Sequence, residues 1–407
     1  MKILVLNAGS SSQKSCLYQI TGNSLPETPL EPLWEANIDW TASRDFASMK
    51  IEANGKKQEF QLNPRKREEG MAKMLETLTE GDTKVLNQLS EIEAVGHRVV
   101  HGGTKYSESV FLTAEVKEAI ADLIPLAPNH NPAHLEGIEA IEKVLENVPQ
   151  IAVFDTAFHS QMPPEVATYP VPYHWLELGI RRYGFHGTSH KYCSEKAAKI
   201  LGKSRENLRI VTCHLGNGCS LAAIKNGISI NTTMGFTPLE GLMMGTRSGS
   251  IDAGILIFLI ENKYFDAGEL NLVLNKKSGL KGIFGESGDM REVLKARDAG
   301  NERAKLAFEM YVDRLRCGIG EMAASLGGLD ILIFTAGVGE NAAEVRAETC
   351  KGLEFLGIKI DAEKNNNSPR NASISTEDSA VEVLVVHTQE DWAIACECWQ
   401  LERGNRQ

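Results

Sequence analysis

The chain has 407 residues, 42% of them hydrophobic and 24% charged, with 54 acidic against 43 basic side chains and a net charge of −11. This is the composition of a globular protein long enough to bury its own core, at roughly 150 residues per domain two or three domains in size. The acidic balance excludes a surface that wraps nucleic acid, which needs a basic face, but it leaves room for a local basic pocket that takes phosphates.

Read in chain order, the opening Met1-Lys2-Ile3-Leu4-Val5-Leu6-Asn7 predicts a buried strand rather than a signal peptide. It runs into a turn of small residues, Asn7-Ala8-Gly9-Ser10-Ser11-Ser12, with Lys14 just beyond. Residues 49–53 and 57–62 flank Asn54-Gly55, the strongest short hairpin signal, and predict two paired strands. Asn131 followed by Pro132 reads as an N-cap and first-turn proline, opening a helix to about residue 147. The apolar run 151–154 predicts a strand ending at Asp155, and Pro163-Pro164 soon after marks a domain boundary. Residues 209–213 predict a strand leading into His214-Leu215-Gly216-Asn217-Gly218, and residues 219–225 and 228–232 flank a second hairpin signal, Asn226-Gly227. A long helical pattern over residues 301–326 stops at Gly327-Gly328. A third apolar strand, 331–335, meets Ala336-Gly337-Val338-Gly339-Glu340-Asn341, expected to open a helix from Asn341 to about residue 356. A last helix over residues 390–403 is expected to return to the first half. Strands and helices mixed in this way predict an α/β fold with mixed sheets.

Eight cysteines (16, 193, 213, 219, 317, 350, 396 and 398) form neither C-x-x-C nor a zinc-type Cys/His spacing, so reduced thiols in a cytoplasm are expected. The longest wholly apolar run, residues 253–260, is far short of a membrane span, and no membrane or nucleic-acid partner is expected.

The chemistry-bearing residues sit in or near the small-residue turns. No G-x-x-x-x-G-K-[ST] is present, Ala342 breaks a G-x-G-x-x-G, and the protein-kinase signatures are absent. What remains is three turns of Gly and Ser after strong strands, whose backbone N–H groups can cradle phosphates. One such turn alone is usually structural; three after strong strands are better evidence together. Lys14 beside the first turn is a point charge for a terminal phosphate, or a surface lysine. Arg98, in Gly96-His97-Arg98-Val99-Val100-His101-Gly102-Gly103, and Arg247, in Met243-Met244-Gly245-Thr246-Arg247-Ser248-Gly249, are single charges among apolar or small residues. Each needs an anion nearby, from a substrate or from a structural salt bridge. His186, in Tyr183-Gly184-Phe185-His186-Gly187-Thr188-Ser189-His190, lies on a loop before a helix, with a satisfied structural histidine as the plain alternative. Asp155 sits at the C-terminal end of a strand, where α/β sites are built, though a helix cap accounts for it equally well.

Taken together, the strings from Lys2 to Lys14, Tyr183 to His190, His214 to Gly218, Met234 to Gly249 and Phe334 to Asn341 resemble, in order, those of the acetate kinase family, from residue 2 to about Ala395. The resemblance implies a two-domain actin-like (ribonuclease H-like) fold with mixed five-stranded sheets and a cleft between domains. It divides the chain into 1–156 plus 389–407, and 157–388, the second domain making a homodimer contact. It implies reversible transfer of the ATP γ-phosphoryl group to acetate, giving acetyl phosphate and ADP, with Mg²⁺ (or Mn²⁺) as the metal. By resemblance Asn7 and Glu390 place the metal, while Ser10, Ser12 and Lys14 lie on the phosphate side. His214, Leu215, Gly216, Asn217 and Gly218, then Asp289, Met290 and Arg291, then Gly337, Val338, Gly339, Glu340 and Asn341 hold the nucleotide. Arg98, Asp155, His186, Arg247 and Lys14 are the catalytic set. Val100, Phe185 and Pro238 line the methyl pocket. At Asn129 the family usually has Leu, which bears on acyl-chain preference and keeps a propionate or butyrate kinase as the rival; a non-catalytic ATP-binding scaffold is the rival from another class. At Ser250 the family commonly has Asp, which bears on the support behind Arg247. Acetate is already ionised at pH 7, so Asp155 is expected to orient an arginine or a metal-bound water rather than to act as a base.

Overall fold

The computed structural model describes residues 1–9, 12–43, 45–64, 66–127, 130–367 and 369–405; Ser10 and Asn129 fall outside them. The chain forms two compact units, Met1–Ala157 with Gln389–Gln407, and Phe158–Thr388.

The first unit is built on strands β1 (Lys2–Ala8), β2 (Ser12–Gln19), β3 (Trp34–Asp39), β4 (Ala47–Ala53), β5 (Lys56–Leu62), β6 (Ala94–Val99), β7 (Val110–Phe111) and β8 (Gln150–Phe154). Their order is β5-β4-β3-β2-β1-β6-β8-β7. The first five form an antiparallel meander; β1, β6 and β8 run parallel. The four central residues of β1, Ile3 to Leu6, are all buried, as a strand covered on both faces requires. The helix Glu390–Asn405 packs on this sheet: a side chain added at Gly96 of β6 would lie 2.6 Å from Cys398 Sγ and 2.7 Å from Ile394 Cγ2.

The second unit holds β9 (Arg209–Leu215), β10 (Cys219–Lys225), β11 (Ile228–Thr232), β12 (Ile331–Thr335), β13 (Ala372–Ser373) and β14 (Glu382–Val385), ordered β11-β10-β9-β12-β14-β13. β9, β12 and β14 are parallel and β10 and β11 antiparallel. Among the described residues the sheets therefore have eight and six strands, not five each. The expected five survive as a shared centre, β3-β2-β1-β6-β8 in one sheet and β11-β10-β9-β12-β14 in the other. The hairpin of β4 and β5 and the short strands β7 and β13 extend the edges. Both hairpins form at the dipeptides that predict them, with left-handed Asn54 (φ 53°) and Gly55 (φ 73°), and Asn226 (φ 55°) and Gly227 (φ 80°).

Two helix starts differ from the sequence reading. Asn131 is the first residue of the helix Asn131–Val144 rather than its cap. Its side chain is fully buried, and its Nδ2 donates to Ile120 O at 3.1 Å, so a tertiary partner outcompetes the capping role. The segment after β12 is itself a short helix, Ala336–Asn341, and a second helix, Ala343–Cys350, follows a break at Ala342. Gly337 to Glu340 thus lie within a helical turn rather than ahead of one. The helix Glu302–Leu326 begins and ends as its signals predict: Asn301 Oδ1 accepts from Ala304 N at 3.0 Å, and Gly327 adopts φ 70°.

Because the C-terminal helix leaves no room at Gly96, Gly96→Val is expected to destabilise the protein by about 1–3 kcal/mol through overpacking. A thermal-denaturation midpoint equal to that of the parent protein would contradict this contact.

Candidate active site

In the first unit the ends of three neighbouring strands bring charged groups together. β1 pairs with β2 so that Asn7 lies opposite Lys14. The turn between them closes with Gly9 N donating to Ser12 O at 2.7 Å. Arg98 is next to last in β6, and Asp155 follows directly on β8, its own N–H held by Val99 O. Arg98 forks onto Asp155, with Nε 3.0 Å from Oδ1 and Nη2 2.6 Å from Oδ2, while Nη1 reaches Asn7 Oδ1 at 3.3 Å. Asp155 is 1% exposed. Burial opposes charge on Arg98, but the fork with Asp155 wins and raises its pKa. Removing one partner of such a pair costs about 3–5 kcal/mol, because a buried charge is left alone.

The helix Glu390–Asn405 delivers two carboxylates to this cluster. Asp391 accepts from Asn7 Nδ2 at 2.8 Å and pairs with Lys14 Nζ at 3.0 Å, and Glu35 adds a second, longer contact to Lys14 at 3.5 Å. Asp391 went unassigned in the sequence reading; its one signal is its place beside Glu390 at a helix start. Glu390 itself is pushed up to about 7, first by burial, then by the neighbouring Asp155 and Asp391, with Arg98 and Lys14 pulling the other way. Val100, just past β6, is buried.

In the second unit a glycine draws two candidate residues together. β9 and β10 are joined through Gly216-Asn217-Gly218, closed by Gly216 N donating to Gly218 O at 3.0 Å. A side chain at Gly218 would lie 2.8 Å from Arg247 Nη2 and 3.4 Å from His186 Cε1, so only a bare backbone lets both approach. Arg247 Nη1 donates to Pro238 O at 2.6 Å. His186 holds a left-handed φ of 56° at the mouth of the helix Gly187–Ile200, stacks on His214 with ring centroids 4.2 Å apart, and its Nδ1 lies 2.8 Å from Ser220 Oγ. Phe185 is buried beside it, and its carbonyl accepts from His159 Nε2 at 3.0 Å.

The three segments expected to hold a nucleotide converge in the same unit. A side chain at Gly245 would lie 2.4 Å from Asn217 Oδ1 and 2.9 Å from Gly288 O, and one at Gly216 would lie 3.7 Å from His214 Nε2 and 3.9 Å from Ala336 Cβ. Leu215 is fully buried, so it contributes backbone and packing only. Asp289 caps the helix Met290–Asp298 and pairs with the exposed Arg291 at 2.5 Å; Met290 is buried. Gly337 faces open space, Val338 is partly buried and Gly339 buried, and Asn341 Nδ2 donates to Gly337 O at 2.9 Å. Glu340 is a scaffold residue: its buried carboxylate accepts from Ala336 N and Thr388 N and lies 2.6 Å from His387 Nδ1. The fully buried Arg346 braces the same turn, donating to Gly339 O and Glu340 O. No sequence signal marks Arg346 or Ser220. Ser250 Oγ accepts from Gly241 N at 3.0 Å, and its own N–H donates to Gly241 O, so it ties the two ends of the loop that carries Arg247.

The family model described as the acetokinase family matches residues 2–396. The chain belongs to the acetokinase family. Acetokinase relatives include the acetate kinase of Rippkaea orientalis, 64% identical over 398 residues and 98% of both chains. That of Synechocystis is 62% identical over 401 residues, covering 98% of this chain and 97% of the relative. Among solved structures, Porphyromonas gingivalis acetate kinase matches with 42% identity, a TM-score of 0.89 and coverage of 98% of this chain and 99% of the other. A Francisella tularensis propionate kinase matches at 40% identity, TM-score 0.90 and the same coverage. The α/β two-sheet acetokinase fold is thus the one observed.

Four buried histidines have a pH signature. Burial pushes His97 and His159 down to about 4 and lowers His134 and His190 as well, from an ordinary value of 6.5. Below pH 6.5 the unfolded chain binds protons that the folded one refuses. Stability is therefore full above that pH and falls as pH drops toward 4, by up to roughly 1.4 kcal/mol per pH unit for each histidine. The urea midpoint is expected to be lower at pH 5.5 than at pH 7.5, and equal midpoints would contradict the burial.

Proposed function

We propose that this chain catalyses the reversible, Mg²⁺-dependent transfer of the γ-phosphoryl group of ATP to acetate, giving acetyl phosphate and ADP by direct in-line displacement. The observation that carries this reading is the approach of Arg247 and His186 to the bare backbone of Gly218, in the turn between β9 and β10 and beside the glycine turns suited to a nucleotide. Phosphoryl transfer asks little covalent help of a protein; it asks for alignment and for donors around oxygens on which charge spreads. Arg247 and His186 are those donors, and Arg98 holds the carboxylate. Asp155 orients Arg98 through the two-point fork and has no proton to remove, since acetate is already ionised. Lys14 and Ser12 serve the terminal phosphates, and the turns 214–218, 288–291 and 336–341 the rest of the nucleotide. Phe185, Val100 and Pro238 flank the methyl group.

Among the described residues no group of three or more His, Cys, Asp or Glu is arranged around one point to hold a metal. Mg²⁺ carried with ATP needs no such cage, because it keeps several waters and takes only one or two protein carboxylates besides phosphate oxygens. Glu390, a desolvated carboxyl held near 7 beside two other acids, suits that demand, since a cation there favours its ionised form. Asn7 and Glu390 would hold the ion, in part through water, and Mn²⁺ meets the same oxygen donors. Bound there, the ion neutralises phosphate charge.

The reaction is tested with a carboxylate panel, trapping the acyl phosphate with hydroxylamine. Acetate is expected to give the highest kcat/KM, and Arg247→Ala is expected to lose on the order of 10³-fold in kcat. ATP binding without acyl phosphate would favour a scaffold, and a preference for propionate or butyrate would favour the rival that Asn129 suggests. A kcat for Arg247→Ala within tenfold of the parent would remove the arginine from the mechanism.

A homodimer contact belongs to the same reading. The helix Ala253–Glu261 buries none of its residues although it reads AGILIFLIE, and Ile255, Ile257, Phe258 and Ile260 stand exposed. A contiguous apolar face of this kind marks an association surface, which a second copy fills by two-fold symmetry. The parent is expected to sediment as a dimer and Ile257→Lys/Phe258→Asp as a folded monomer; a dimeric double variant would place the contact elsewhere. Among the described residues no helix is long and apolar enough to cross a membrane. The eight free cysteines suit a reducing cytoplasm.

A further inference from the structure

His186 does not stand alone. Its Nδ1 lies 2.8 Å from Ser220 Oγ, the same oxygen lies 2.8 Å from His190 Nε2, and His190 Nδ1 lies 2.6 Å from Thr212 Oγ1. Ser220, His190 and Thr212 are all fully buried. Water cannot complete a missing bond there, so each side-chain hydrogen of these three residues must find its acceptor within the row.

That requirement fixes the direction of the row. Among the described residues the side-chain hydroxyl of Thr212 has one partner, His190 Nδ1. Were Nδ1 protonated, it would donate to Thr212 and leave the threonine hydroxyl hydrogen buried with no acceptor. Thr212 must therefore donate and His190 Nδ1 accept. Burial keeps His190 neutral, so its one proton sits on Nε2 and is donated to Ser220. Among the described residues Ser220 Oγ has the two rings as its hydrogen-bond partners, so its own hydrogen goes to His186 Nδ1. A neutral His186 then carries its proton on Nε2, the ring nitrogen that Ser220 does not engage.

We propose that Thr212, His190 and Ser220 are positioning residues that set His186 as a neutral donor with its hydrogen on Nε2. The proposal rests on the reading of His186 as a donor to the transferring phosphoryl group. The row also resists a positive charge on His186. To become an imidazolium, His186 would have to donate from Nδ1 to Ser220, which reverses every bond in the row and strands the Thr212 hydroxyl. The surrounding framework holds the ring in the matching orientation. His159 Nε2 donates to Phe185 O, and a side chain at Gly184 would lie 2.7 Å from the His159 ring, so the backbone entering His186 is clamped from below. A hydrogen-bonded partner that fixes tautomer and ring angle is the device proteins use wherever one imidazole nitrogen has to act.

The test is nitrogen NMR on protein labelled with ¹⁵N-histidine at pH 7.5. His186 signals are assigned by their loss in His186→Gln. Those of His190 are assigned by His190→Gln or, where that variant fails to fold, by contacts to the Thr212 methyl group. Both rings are expected in the Nε2–H form; a proton on Nδ1 of either would overturn the proposal. This readout needs no turnover, so it stands or falls apart from the assigned reaction. Kinetics supply the second arm. Ser220→Ala is expected to lower kcat about tenfold or more, with the KM for acetate and for ATP changed by less than about threefold, and Ser220→Thr to recover most of the loss. A Ser220→Ala enzyme with parental kcat, or one in which KM rises while kcat holds, would remove Ser220 and His190 from this role.

Discussion

The charged cluster of the first unit depends on one ion pair. Arg98 and Asp155 leave adjacent parallel strands at their C-terminal ends and meet in a two-point fork. The pair offsets the cost of desolvating the guanidinium, and it fixes the plane of that group so that a third nitrogen reaches Asn7. From Asn7 the constraint passes to Asp391, and from Asp391 to Lys14. Glu390, next in the chain to Asp391, feels all of these charges. A change in any one is expected to be felt by the rest, because each shares a hydrogen bond or a close charge with the next.

The two sheets repeat one plan. In each, an antiparallel pair of strands flanks a central strand that continues into two parallel ones, and the tight turn after the central strand carries small residues of the candidate site. The physical reason is shared: the ends of buried strands present backbone groups that no neighbouring strand satisfies, and glycine lets another group come close enough to use them. Gly218 shows the device in its barest form, with an arginine and a histidine at the distance a side chain would have filled.

Local signals were legible wherever a single residue type dictates the backbone. Both Asn-Gly hairpins, the Asn301 cap, the Gly327 stop and the apolar strands could be read directly. Signals that depend on a distant partner could not. Asn131 looks like a cap until Ile120 O claims its side chain, and the glycine stretch after β12 becomes helical only because Glu340 and Arg346 satisfy its ends. The candidate site divides in the same way. Arg98, His186 and Arg247 stand out as polar residues in apolar or glycine-rich strings. Asp391, Ser220 and Thr212 look like ordinary polar residues, and their part emerges from packing. The five-stranded expectation missed the edge strands, since edges carry few constraints beyond pairing and vary without disturbing the centre.

The C-terminal helix has a consequence for the order in which the protein is made. Asp391 is translated 384 residues after Asn7, yet it completes a cluster that Asn7 and Lys14 begin. A nascent chain that has not yet reached Glu390 holds every strand of the first sheet but neither carboxylate of this helix. Completion of the charged cluster thereby waits on translation past Glu390 and Asp391, and a product truncated before them lacks the carboxylate that joins Asn7 to Lys14.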